Sequence, residues 1–123
     1  MLPSLPNLSE DPPVPDQVVQ VVFDPQANPQ FTFKKETVEM TAAGKIKLHQ
    51  DPGARWRFRG ATIKDDLLNE FRTRVMQNGK SLDIMDDFLD ERRTEYSYNV
   101  TVQLDDITYT SPDPVIVNDP GGK

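Results

Sequence analysis

The sequence predicts an all-β protein, an antiparallel sandwich of about seven short strands. Three observations carry that reading. Residues Tyr96 to Leu104 run nine positions of unbroken alternation. Tyr96, Tyr98, Val100, Val102 and Leu104 fall on one side, and Ser97, Asn99, Thr101 and Gln103 on the other. That period of two is the signature of a strand with one buried face. Turn residues recur every 8–12 positions between short apolar runs, as in sandwiches. No rhythm of strands alternating with helical patterns is present.

The elements follow in order. Residues 1–16 hold five prolines (Pro3, Pro6, Pro12, Pro13, Pro15) and are expected to form a disordered tail, because proline removes donors and blocks helix. The folded domain is expected to span residues 17–118, with residues 119–123 fraying. Val18 to Phe23 is β-branched and reads as a first strand. Asp24-Pro25 and Asn28-Pro29 break it. Phe31 and Phe33 mark a second strand, and Thr37 to Met40 a third. Ile46 and Leu48 alternate with Lys45 and Lys47. Asp51-Pro52-Gly53 is a turn in which proline presets φ and glycine accepts positive φ. Trp56 and Phe58 then alternate with Arg55, Arg57 and Arg59.

Residues 65–90 admit two readings. Leu67, Leu68, Phe71 and Val75 have helical spacing, with Asp65 as a cap and Gly79 as a stop. Alternatively, Phe71, Thr73 and Val75 pair with Leu82 and Ile84 through Asn78-Gly79, a strong hairpin signal. The hairpin is favoured, with one helical turn at Asp65 to Asn69. Asp105-Asp106 turns the long strand back into Ile107 and Tyr109. Val115 to Val117 forms the last strand.

A chain of 123 residues is one domain by size. It has no cysteine, which excludes disulfides and thiol chemistry. The start lacks the basic and apolar regions of a signal peptide, no run approaches a membrane span, and a cytoplasmic address is expected. Net charge is −6, which argues against nucleic acid as a partner. The charge is unevenly spread. Residues 34–80 carry eleven bases and six acids, and residues 81–123 carry ten acids and three bases.

Candidate sites are few. The one histidine, His49, lies beside a turn, and nothing in the sequence selects a serine for a Ser-His-Asp array. No cofactor is expected, and the chain is read as no enzyme. Asp83, Asp86, Asp87 and Asp90 form an acidic segment. Clustered carboxylates can bind calcium, although the spacing is not that of an EF-hand. The basic strands form the other candidate. If Lys45–Leu48 and Arg55–Arg59 pair through Asp51-Pro52-Gly53, then Lys45, Lys47, Arg55, Arg57 and Arg59 share one outer face. Like charges across strands are mildly unfavourable, so an acidic surface is expected to meet them, from the same chain or another copy. The aromatics of these strands point inward, so no base-stacking platform forms.

Trp56-Arg57-Phe58-Arg59-Gly60, Asn78-Gly79, Tyr96-Ser97-Tyr98-Asn99-Val100 and Asp113-Pro114-Val115-Ile116-Val117-Asn118 together carry a family pattern. Over residues 56–118 the chain resembles the DP-EP family of small bacterial proteins. Its motif residues here are Tyr96, Tyr98, Asp113, Pro114, Ile116 and Asn118. The chain departs from the pattern at Asp86-Asp87-Phe88, where relatives often have Asp-x-Asn. The resemblance implies an immunoglobulin-like sandwich and self-association, and it implies no activity. Three functions remain open: an interaction or self-assembling protein; a module binding calcium or a small ligand through its acidic end loops; and, ranked last, a hydrolase that works without histidine.

Overall fold

A computed structural model describes residues 17–121; the expected N-terminal tail lies outside them. Ten strands form two five-stranded sheets. In chain order they are β1 (Gln17–Phe23), β2 (Phe31–Phe33), β3 (Thr37–Met40), β4 (Gly44–Gln50), β5 (Arg57–Ile63), β6 (Phe71–Met76), β7 (Ser81–Asp86), β8 (Thr94–Leu104), β9 (Ile107–Thr110) and β10 (Val115–Asn118). The first sheet runs β2-β1-β4-β7-β6, and the second β3-β10-β8-β5 with β9 beside β8. No helix among the described residues is long and apolar enough to cross a membrane.

The sandwich has ten strands where about seven are expected from sequence, and both sheets are mixed. β1 pairs with β4 in parallel, and so does β10 with β3. Parallel neighbours are joined by long connections rather than tight turns, so local turn signals are silent about them.

Alternation sorts the side chains. Val19, Val21, Ile46, Leu48, Leu82 and Ile84 of the first sheet meet Val38, Phe58, Tyr98, Val100, Val102 and Ile116 of the second, each at most 1% exposed. These residues belong to one contiguous core. Fully burying such a side chain is worth about 1.5–3 kcal/mol. Trp56 packs edge-on to Phe58 at 4.9 Å between ring centres, and Phe71 edge-on to Tyr96 at 4.9 Å.

Residues 71–86 form the hairpin, with Phe71 opposite Asp86 and Met76 opposite Ser81. Its turn holds Gln77, Asn78 and Gly79 at φ of 54°, 58° and 87°. The helical turn expected at Asp65 to Asn69 does not form. Asp65 and Asn69 sit at φ of 57° and 55°, and left-handed residues cannot continue a right-handed helix. The Asp66 carboxylate instead accepts hydrogen bonds from the backbone N–H groups of Glu70 and Phe71, at 3.0 and 3.1 Å.

A basic sheet face and a buried carboxylate cluster

The antiparallel register of β4, β7 and β6 places outward side chains in rows. Lys47, Asp83 and Arg74 make one row; Lys45, Met85 and Arg72 make the next. Their strand neighbours Ile46, Leu48, Leu82 and Ile84 turn into the core, as a two-residue period requires. Four cations therefore surround one carboxylate. Lys45 Nζ lies 3.9 Å from Asp83 Oδ2, and Arg72 Nη2 lies 2.7 Å from Asp87 Oδ1. Lys47 and Arg74 have no ion-pair partner among the described residues. Asp83 Oδ1 is buried without a hydrogen-bond partner. A cavity of about 390 Å³ opens here, lined by Lys45, Arg72, Arg74, Met76, Asp83 and Met85 among others.

This face differs from the expected one. Lys45 and Lys47 belong to it, but Arg55, Arg57 and Arg59 do not. The Asp51-Pro52-Gly53 turn forms, with Gly53 at φ 79°, but the chain then crosses to the second sheet, where β5 pairs with β8. Gln50 Nε2 donates to the Trp56 carbonyl across the crossing. Ile46, Leu48, Trp56 and Phe58 all reach the core, from opposite sheets. Alternation fixes which side is inward but not which sheet a strand joins. On β5 the pairing slips between Phe58 and Gly60, which leaves Arg59 exposed at a bulge. Arg72 and Arg74 take the places assigned to the β5 arginines. Their alternation with Thr73 and Val75 inside the hairpin reading was the available signal.

The acidic segment is divided by the same rule. Asp83 faces outward, and Asp86, three residues on, faces inward. Asp87 turns to Arg72. Only Asp86 and Asp90 come together, joined by Glu70 from the connection before β6. All three surround the Asn118 amide of β10: Asn118 Nδ2 lies 3.3 Å from Glu70 Oε1, 3.1 Å from Asp86 Oδ1 and 3.0 Å from Asp90 Oδ2. The Tyr96 hydroxyl on β8 lies 2.7 Å from Glu70 Oε2 and 2.8 Å from Asp90 Oδ1. Backbone N–H groups add to this: Leu89 donates to Glu70 Oε1 at 2.7 Å, and Phe88 to Asp86 Oδ1 at 2.9 Å. Glu70 and Asn118 are fully buried, and Asp86 is 2% exposed.

Burial pushes the Glu70 carboxyl above its ordinary value, against hydrogen bonds from Leu89 and Tyr96. Burial also raises Asp86, to about 6, while hydrogen bonds from Phe88 and Asn118 oppose the rise. Burial works the same way on Asp90, but hydrogen bonds from Tyr96, Asn118 and Glu70 outweigh it and hold Asp90 low. The Tyr96 phenol, buried beside two carboxylates, is raised and stays protonated. Among the described residues no group of three or more histidine or acidic side chains is disposed to hold a metal ion.

The motif residues divide between packing and this cluster. Tyr96 and Asn118 build it. Tyr98 is fully buried, edge-on to Phe33 at 6.1 Å, and its backbone N–H donates to the Pro114 carbonyl at 3.0 Å. Ile116 enters the core. Asp113 is exposed and pairs with Lys64 at 2.8 Å. His49 stands opposite Ser81 in the β4–β7 register, but Ser81 Oγ has no hydrogen-bond partner, so the two are not joined.

No curated protein matches the chain. The DP-EP family model matches residues 13–120, a span that takes in both sheets, the basic face and the carboxylate cluster. The chain belongs to the DP-EP family.

Proposed function

We propose that this protein is a non-enzymatic interaction module that associates with copies of itself, its basic β4–β7–β6 face receiving an acidic surface of the next copy. The observation that carries this reading is the row Lys47–Asp83–Arg74, in which two cations lack an ion-pair partner among the described residues. The chain as a whole is net −6, so a second copy offers acidic surface in abundance. Face and acidic surface are different patches, which makes the contact heterologous; such contacts build rings or filaments. No aromatic side chain stands in the two rows, so nucleic-acid bases find no stacking platform and carboxylates are the better fit. The reading takes the bacterial cytoplasm as the setting, in keeping with the family resemblance and a chain without cysteine.

The double variant Lys47→Glu/Arg74→Glu tests it. Both positions lie outside the core, so the fold is expected to survive, as circular dichroism would verify. Light-scattering mass at low ionic strength is expected to fall from a multimer to the monomer. A wild-type multimer that persists in the variant would contradict the assigned face.

A further inference from the structure

We propose that Glu70, Asp86 and Asp90 form a proton-holding latch between the two sheets, tight in mild acid and loosened as the pH rises to neutral. The geometry is a mismatch of donors and acceptors. Glu70 and Asp86 belong to the β6–β7 side, while Tyr96 and Asn118 belong to β8 and β10 of the other sheet. The single Tyr96 hydroxyl proton faces two carboxyl groups, at 2.7 and 2.8 Å. The two amide protons of Asn118 face three, within 3.0–3.3 Å. Lys64, Arg72 and Arg93 pair with Asp113, Asp87, Glu95 and Asp119 rather than with any of the three acids. Fully ionised, the cluster would set three like charges around one neutral amide. Keeping a proton on Glu70, against an ionised Asp90, replaces repulsion with a hydrogen bond, as carboxyl pairs that share a site do.

The surrounding charges leave this intact. Asp66 is engaged with the Glu70 and Phe71 N–H groups. Arg72 of β6 is engaged with Asp87. Lys45 of β4, which lies 3.9 Å from Asp83, lines a cavity of about 410 Å³ with Asp86 and Asp87. Lys64, Asp65 and Glu95 border the cavity beside Asp90; Lys64 is engaged with Asp113. Arg93 pairs with Glu95 and lies 3.9 Å from Asp119, next to Asn118.

The sign follows by linkage. Glu70 and Asp86 are raised in the folded state, so their contribution is complete below their unfolded values and is lost as pH rises, for Asp86 through about 6. Asp90 is lowered, so its contribution is present above its unfolded value and is lost as pH falls through its folded one. Stability is therefore greatest in mild acid.

Thermal midpoints of the full chain, measured from about pH 5 to about pH 7.5, test the latch together with carboxyl ¹³C titration of the wild type. The expected result is a midpoint that falls by about 5 °C or more over that range, since about 1 kcal/mol moves a domain of this size by several degrees. Glu70→Gln, which fixes an uncharged side chain at that position, is expected to flatten the fall by half or more. Glu70 and Asp86 are expected to titrate above the ordinary carboxylate range in the ¹³C spectra. A midpoint flat or rising with pH, an undiminished slope in Glu70→Gln, or ordinary titration of both carboxyls would each overturn the proposal. Should Glu70→Gln fail to fold, the wild-type titration decides alone.

Discussion

Gly79 shows how much one residue can carry in this molecule. It closes the β6–β7 hairpin at φ 87°, and an added Cβ would lie 2.8 Å from Arg57 Cβ and 3.0 Å from the Phe58 carbonyl oxygen. The turn of one sheet is thereby pressed against a strand of the other. Gly79→Ala combines a left-handed φ with this clash. It is expected to cost about 2 kcal/mol or more, measured as a lower denaturant midpoint with an unchanged slope. At the same scale, Asn118 and Tyr96 gain their importance from where their polar atoms end: neutral donors at the meeting point of three acids, from the connection before β6, from β7 and from the connection after it. The Asn118 carbonyl Oδ1 and Asp86 Oδ2 have no partner in the described structure, so the cluster is not a fully satisfied network.

At the scale of elements, strand identity was largely written in the sequence, and strand partnership was not. The alternation over Tyr96 to Leu104 marks β8, and Asn78-Gly79 marks the hairpin turn, because both signals are local. The assignment of β5 to the second sheet depends on a crossing after Gly53 that no turn residue encodes. The parallel pairs β1–β4 and β3–β10 depend on contacts far apart in sequence. The carboxylate cluster was half legible for the same reason. Asp86 and Asp90 stand in a visible acidic run, but Glu70 sits in the stretch read two ways, and Asn118 arrives from the far end of the chain. β7 is the element on which most depends: it lies between β4 and β6, and five of its six residues are buried. Ile84→Ala in its centre is expected to cost about 2–5 kcal/mol, checked by the same chemical unfolding. A cost under 1 kcal/mol would mean that the core beneath β7 is looser than this packing indicates.

For the molecule as a whole, the folding of the chain arranges its charges into opposed regions. Net charge is −6, yet the β4–β7–β6 face gathers four cations around one carboxylate. Two of those cations are answered within the chain, Lys45 by Asp83 and Arg72 by Asp87, which is the intramolecular half of the complementarity foreseen from the basic and acidic segments. Lys47 and Arg74 have no ion-pair partner among the described residues, and on the proposed reading they are the cations that an acidic surface of another copy would meet. Charge contacts between copies at a solvent-exposed surface weaken as salt shortens the screening length to about 3 Å at 1 M; apolar contacts do not weaken this way. The most direct measurement is therefore molar mass by size exclusion with light scattering, at low and at molar salt. The expected result is a defined multimer at low salt that dissociates to the monomer at molar salt. A monomer under both conditions, or a multimer unmoved by salt, would contradict it.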